Sequence, residues 1–199
     1  MRLSMFKILA VFAAVFLVLQ VVGCAAKAPP PPPAPPPPPA GTIAVEPAKI
    51  EYTKLKAMWP VVAKGMKVPE AAVPVLPAAL AILGIPIKFT GSGWPPNELV
   101  SIELVLPAGV SVPGLDLEPG LDSIGITYAT ADASGKFERT LDAASKFNWL
   151  LRTQWTPNFT PDVAKVDPLP AGIYTVKAVG NHPATVATTT WELELTPQP

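Results

Sequence analysis

Few side chains in this 199-residue chain are of types that carry chemistry, and their spacing narrows them further. There is one cysteine, Cys24, and one histidine, His182. A lone cysteine forms no internal disulfide and cannot supply the thiolate set of a structural zinc site. His182 lies in Asn181-His182-Pro183, between two expected strands. A Ser-His-Asp mechanism would need a serine beside it, and no G-x-S-x-G elbow occurs. A single loop histidine is therefore expected to be solvated, and a metal site built on several histidines is excluded. Asp116, Glu118 and Asp122 could offer oxygens to calcium, but the segment lacks the alternating acids and closing Glu of an EF-hand loop. Paired carboxylates for glycoside hydrolysis need only spatial proximity, and no segment nominates a pair. No phosphate-cradling glycine loop precedes a helix. We expect no enzyme, no metal and no cofactor.

The binding candidates are aromatic. Phe147, Trp149, Trp155 and Phe159 cluster within 13 positions. Exposed, such rings could stack on sugars or anchor a protein partner; buried, they form a satellite core. Trp59 among its lysines poses a similar choice, and a basic amphipathic stretch there could lie on anionic headgroups, although Pro60 interrupts it.

Charge excludes one partner class. If residues 1–23 are removed, Arg2 and Lys7 go with them, and 15 basic groups against 15 acidic ones become 13 against 15. A net charge of −2 gives no basic field for nucleic acid. The charge is uneven, however. Lys49, Lys54, Lys56, Lys64 and Lys67 face Glu51 alone over 49–67, whereas 98–142 holds eight acids against Lys136 and Arg139. This asymmetry could form a partner surface, but opposed patches also arise by chance, and chance is the preferred reading.

The elements that position these residues begin with a targeting segment. Arg2 and Lys7 precede an apolar run from Ile8 to Val22 broken by Gln20. Such a run suits a signal-peptide core, while a spanning helix needs about 20 apolar residues. It closes on Val21-Val22-Gly23-Cys24. This resembles the lipobox of bacterial lipoproteins. The resemblance implies cleavage between Gly23 and Cys24, a diacylglyceryl thioether on Cys24 and acylation of the freed amine. Several acyl chains on one residue anchor stably, so the implied partner is the membrane. The implied location is the cell membrane or outer membrane, with the body on the extracytoplasmic side. Ala25 follows the cysteine, so the inner-membrane retention Asp known in some double-membrane bacteria is absent.

Ten prolines between Pro29 and Pro39, interrupted by Ala34, form a linker within 24–41. Proline runs adopt polyproline II and would extend roughly 34 Å here, a semi-rigid stalk. A spacer is expected rather than an SH3-type ligand.

The body, 42–199, alternates with period two. Val100, Ile102, Leu104 and Leu106 share one face; Ile124, Ile126 and Tyr128 another; Tyr174, Val176 and Ala178 a third. Trp191, Leu193 and Leu195 close the chain, with shorter runs at Ile43–Val45 and Ile85–Phe89. Asp132-Ala133-Ser134-Gly135 is expected to turn a hairpin, with Gly135 left-handed. About seven short strands with polar outer faces predict a mainly-β sandwich. Two partly helical insertions interrupt it, at about 50–84 and 142–168. Pro60, Pro69, Pro74 and Pro77 forbid one long helix in the first, leaving short pieces at 53–59 and 77–83. In the second, Asp142 or Ser145 would cap a helix carrying Phe147, Leu150 and Leu151 on one side.

Three phrases carry a further resemblance: Phe89-Thr90-Gly91-Ser92-Gly93-Trp94, then Asp132-Ala133-Ser134-Gly135-Lys136-Phe137, then Pro170-Ala171-Gly172-Ile173-Tyr174-Thr175-Val176. In this order they resemble immunoglobulin-like and fibronectin-like modules of prokaryotic surface proteins. The resemblance implies a non-catalytic module that spaces, adheres or binds, with Tyr174 as a tyrosine corner. Two readings stand: a structural or protein-interaction module, and a carbohydrate- or envelope-partner-binding protein using the 142–160 aromatics. An envelope hydrolase has no supporting residues.

Overall fold

The computed structural model describes residues 41–108, 110, 123–181 and 185–197. The alternating segments form β1 (Thr42–Glu46), β2 (Lys49–Ile50), β3 (Lys88–Ser92), β4 (Leu99–Val105), β5 (Ser123–Thr130), β6 (Phe137–Thr140), β7 (Gly172–Gly180) and β8 (Val186–Leu193). They build two sheets, ordered β1-β3-β6 and β2-β8-β7-β4-β5. Every pairing is antiparallel except β2, which lies parallel to β8. The expected mainly-β class holds. The strands number eight among the described residues, one more than expected, because two-residue β2 was not legible as a strand.

Alternation places Val100, Ile102 and Leu104 of β4 beside Ala178 and Val176 of β7, all fully buried. Each large aliphatic side chain buried this way contributes roughly 1.5–3 kcal/mol. Phe89 of β3 meets Trp191 of β8 edge to face at 6.0 Å, joining the inner faces of the two sheets. The Trp191 Nε1 is buried without a hydrogen-bond partner among the described residues.

Two expectations are corrected. In β5 the pairing with β4 steps from Ile102↔Thr127 to Glu103↔Gly125, leaving Ile126 as an extra residue. This β-bulge reverses the phase of alternation. Ile124 and Ile126 still point inward, but Ala129 is buried and Tyr128 is exposed. The second correction concerns 132–135. Gly135 is left-handed at φ +73°, as expected, yet the turn joins two sheets, because β6 pairs with β3 and not with β5.

The strand directions separate two ends. Gly41, the 93–98 loop, the 131–136 turn, the end of β7 at Gly180 and the start of β8 at Val186 gather at one pole. Both insertions, 51–87 and 141–171, lie at the other. At the Gly41 pole, Trp94 is 3% exposed and its indole N–H donates to the Thr42 carbonyl at 3.0 Å. Gly135 lies so close to the Trp94 carbonyl that no side chain fits there.

In the first insertion α1 (Tyr52–Gly65) buries Leu55, Trp59 and Ala63, spaced four apart on one stripe. The helix runs through Pro60, beyond the short piece expected at 53–59. Pro60 and Lys56 are both exposed, so the carbonyl freed four residues back has water available. Two 3₁₀ segments follow, Glu70–Ala72 and Ala78–Gly84, the second covering the piece expected at 77–83. In the second insertion Asp142 caps one α-turn, Ala143–Ser145, which widens into a π-turn at Lys146–Leu150. Among the described residues no helix is long and apolar enough to cross a membrane.

Candidate functional site

The insertion pole is assembled around a buried lysine. Lys146 has hardly any exposed surface, and its ammonium donates to the Ile85 carbonyl at 2.6 Å and the Leu83 carbonyl at 3.5 Å. These carbonyls lie at the C-terminal end of the second 3₁₀ segment, where the backbone leaves acceptors unpaired. One side chain thus clips the two insertions together. Burial lowers its pKa from the ordinary 10.5, and Asp142 opposes that shift. Asp142 itself accepts from the Ser145 N–H at 2.7 Å, and that bond, with the Arg139 charge in support, lowers its carboxyl pKa. The lysine signal was present in the sequence as a cation among apolar neighbours, Phe147, Leu150 and Leu151, and was not singled out.

The four aromatic candidates separate into two pairs. Phe147 and Trp149 are half-buried and packed against the core. Trp155 is 42% exposed and Phe159 is 87% exposed. Trp155 is held from two sides: its indole N–H donates to Asn148 Oδ1 at 2.8 Å, and Phe147 meets its ring edge to face at 6.3 Å. The Phe159 loop is short and tightly closed. Trp155 bridges Pro161, the Thr156 N–H donates to the Thr160 carbonyl at 2.9 Å, and the Phe159 N–H returns to the Thr156 carbonyl at 2.9 Å. The Thr156 and Thr160 hydroxyls bond each other at 2.6 Å. Phe159 sits at φ +56°, the left-handed position that such loops ordinarily give to glycine. A side chain there costs about 1–2 kcal/mol.

The loop behind this hairpin is pinned to the sheets. Arg152 places its guanidinium 2.9 Å from Asp167, and the Leu169 N–H donates to the Leu150 carbonyl at 2.9 Å. Tyr174 then donates its hydroxyl to the Pro170 carbonyl at 2.7 Å. Burial pushes this phenol up to about 12, against the opposing charge of Arg152.

A groove of about 730 Å³ opens beside α1, lined by Trp59, Pro60, Val68, Val73 and Pro74, with Lys64, Lys67 and Glu70 on its rim. Trp59 is mostly buried and donates its N–H to the Val73 carbonyl at 2.8 Å. The lysine run is less unbalanced than its composition suggests. Lys49 bonds Glu192 at 2.8 Å across the β2–β8 pair, and Lys54 pairs with Glu51 at 2.6 Å.

Gly23 and Cys24, the proline linker, Asp116–Asp122 and His182 lie outside the described residues. Among the described residues no group of three or more His, Cys, Asp or Glu side chains converges as a metal site would. No family model, curated protein or solved structure matches this chain.

Proposed function

We propose that the chain is a lipid-anchored envelope protein that holds a non-catalytic immunoglobulin-like module away from its membrane. One observation carries this reading: the chain enters the module at Gly41, at the pole opposite both insertions. A tether joined at Gly41 would leave both insertions at the end of the module away from the point of attachment. That is the arrangement a presenting or adhesive module needs.

Strand order supports the immunoglobulin-like part. Lettered A, A′, B, C, C′, E, F and G in chain order, β1 to β8 give sheets A-B-E and A′-G-F-C-C′. That order is the one expected of an immunoglobulin-like layout with a C′ edge and without a D strand. Tyr174 near the start of F, bonded to backbone four residues upstream, has the geometry of a tyrosine corner. The module departs from antibody domains in lacking the B–F cysteine pair. Phe89 on B against Trp191 on G fills the centre instead.

The anchor is tested by growing cells with an alkyne-palmitate and partitioning the full chain in Triton X-114. Wild type is expected to carry the label and enter the detergent phase; Cys24→Ala is expected to do neither. A Cys24→Ala chain that labels and partitions like wild type would sink the reading.

A further inference from the structure

We infer that Phe159 is the platform for a neutral pyranose chain, presented at the tip of the Trp155–Pro161 hairpin. The inference rests on the proposed presenting module and names its ligand class. Phe159 occupies a left-handed backbone position at φ +56°. Bulky residues in that region are outliers, and they persist where the surroundings over-determine them. Here the surroundings offer the ring nothing, since Phe159 is 87% exposed. Glycine would fit the loop better, so internal packing does not account for the residue. An external contact does.

The hairpin chemistry selects the ligand. Residues 153–161, TQWTPNFTP, carry no charge, so the salt-dependent steering that charged partners use is absent from the tip. Asn158, next to Phe159 in the chain, and Gln154, next to Trp155, are exposed, and an amide both donates and accepts. Alternating donor and acceptor demand is what vicinal sugar hydroxyls present, while a ring face suits the apolar side of a pyranose. The same Asn158 disfavours a bilayer, where its amide would enter hydrocarbon beside Phe159 without partners. The loop backbone is set before any ligand arrives: the Thr156–Thr160 bonds close it and the Asn148 bond holds the Trp155 ring, so little backbone ordering entropy is lost on binding.

The test uses the full lipidated chain in phosphatidylcholine–phosphatidylglycerol nanodiscs, titrated calorimetrically with cellohexaose, chitohexaose and maltohexaose. We expect saturable binding to at least one of them, weakened at least tenfold in both Phe159→Gly and Phe159→Ala. The thermal midpoint of Phe159→Gly is expected to equal or exceed that of wild type, which separates lost contact from lost fold. Absence of saturable heat with all three sugars overturns the inference, as does unchanged affinity in the variants. So does a concentration-dependent dimer that Phe159→Gly abolishes, which would make a second copy the occupant. None of these outcomes bears on anchoring, which Triton X-114 partition reads separately.

Discussion

Trp94 at the Gly41 pole and the Trp155–Phe159 pair at the insertion pole use their rings in opposite ways. At the Gly41 pole, Trp94 closes the end of the sheets with its ring tilted against Phe137 at 5.9 Å and its N–H satisfied by Thr42. The connecting turns are short and fitted to that ring. At the insertion pole, the chain leaves Phe159, Val61 at 75% and Val75 at 81% exposed, while a lysine is buried to hold the pieces together. Trp94 is closed within the chain, as Trp59 is at the insertion pole, whereas Trp155 and Phe159 present their rings outward. Two tryptophans of identical chemistry thus have different work, and the difference lies in what surrounds them.

Replacing each in turn gives the largest contrast. Trp94→Ala removes a buried ring and its hydrogen bond and is expected to cost about 3–5 kcal/mol. Trp155→Ala removes a ring already 42% exposed and is expected to cost no more than about 1 kcal/mol. Urea unfolding midpoints at constant slope measure both. Equal losses would mean that the insertion pole is as much a structural plug as the other.

Lys146→Met comes next. It retains most of the buried stem but leaves the Leu83 and Ile85 carbonyls without their donor, for an expected loss of about 1–3 kcal/mol. The effect should be local. Hydrogen exchange is expected to quicken over 78–85 and 146–151 while β4 and β7 keep their protection. Uniform acceleration across the sheets would show that the clip supports the whole core and not the insertion pole alone.

How far the sequence revealed this difference follows from the range of the interactions. Alternation around Ile102, Val176 and Trp191 is a local signal, and it placed the strands and their buried faces. The Ile126 bulge was not legible, because only pairing with Ile102 and Glu103 exposes the extra residue. Hence Tyr128 was expected inside and is outside. Pro60 was weighed by its missing N–H, but tolerance of it depends on which side of α1 faces water. The aromatic cluster was visible as composition. Its division into packed Phe147 and Trp149 and exposed Trp155 and Phe159 depends on a loop closed by Thr156 and Thr160, and loop closure has no periodic signature. Lys146 was missed for a related reason: its partners are carbonyls more than sixty positions earlier.

A smaller effect tests the seam between sheets and second insertion. Tyr174→Phe removes the hydroxyl that donates to Pro170 and leaves the ring in place, so about 1 kcal/mol is expected. A loss well above that would show that the phenol organises the whole 152–170 loop.

The smallest effects are those of pH, and Asp132, Asp142 and Lys146 share one sign, each making stability rise with pH across its own window. Asp132, at the Gly41 pole, is held below its ordinary 3.8 by hydrogen bonds from Ser134 and Lys136. Asp142, at the insertion pole, is held below 3.8 chiefly by the Ser145 N–H. Both have depressed folded-state values, so each contributes stability above pH 3.8 and loses it as pH falls through the lowered value. Acid therefore weakens both ends. Alkali weakens the module through Tyr174, whose phenol is raised to about 12, but not through Lys146, a buried cation with a folded-state value below 10.5. Between that lowered value and 10.5 the unfolded chain binds more protons, and its contribution makes stability rise with pH across the window. The margin by which wild type exceeds Lys146→Met in unfolding free energy is then expected to widen as pH rises through that window. If the difference between the two is flat from neutral pH to 10.5, the ammonium is not desolvated in the folded chain, and the clip is held by solvated carbonyls at its surface.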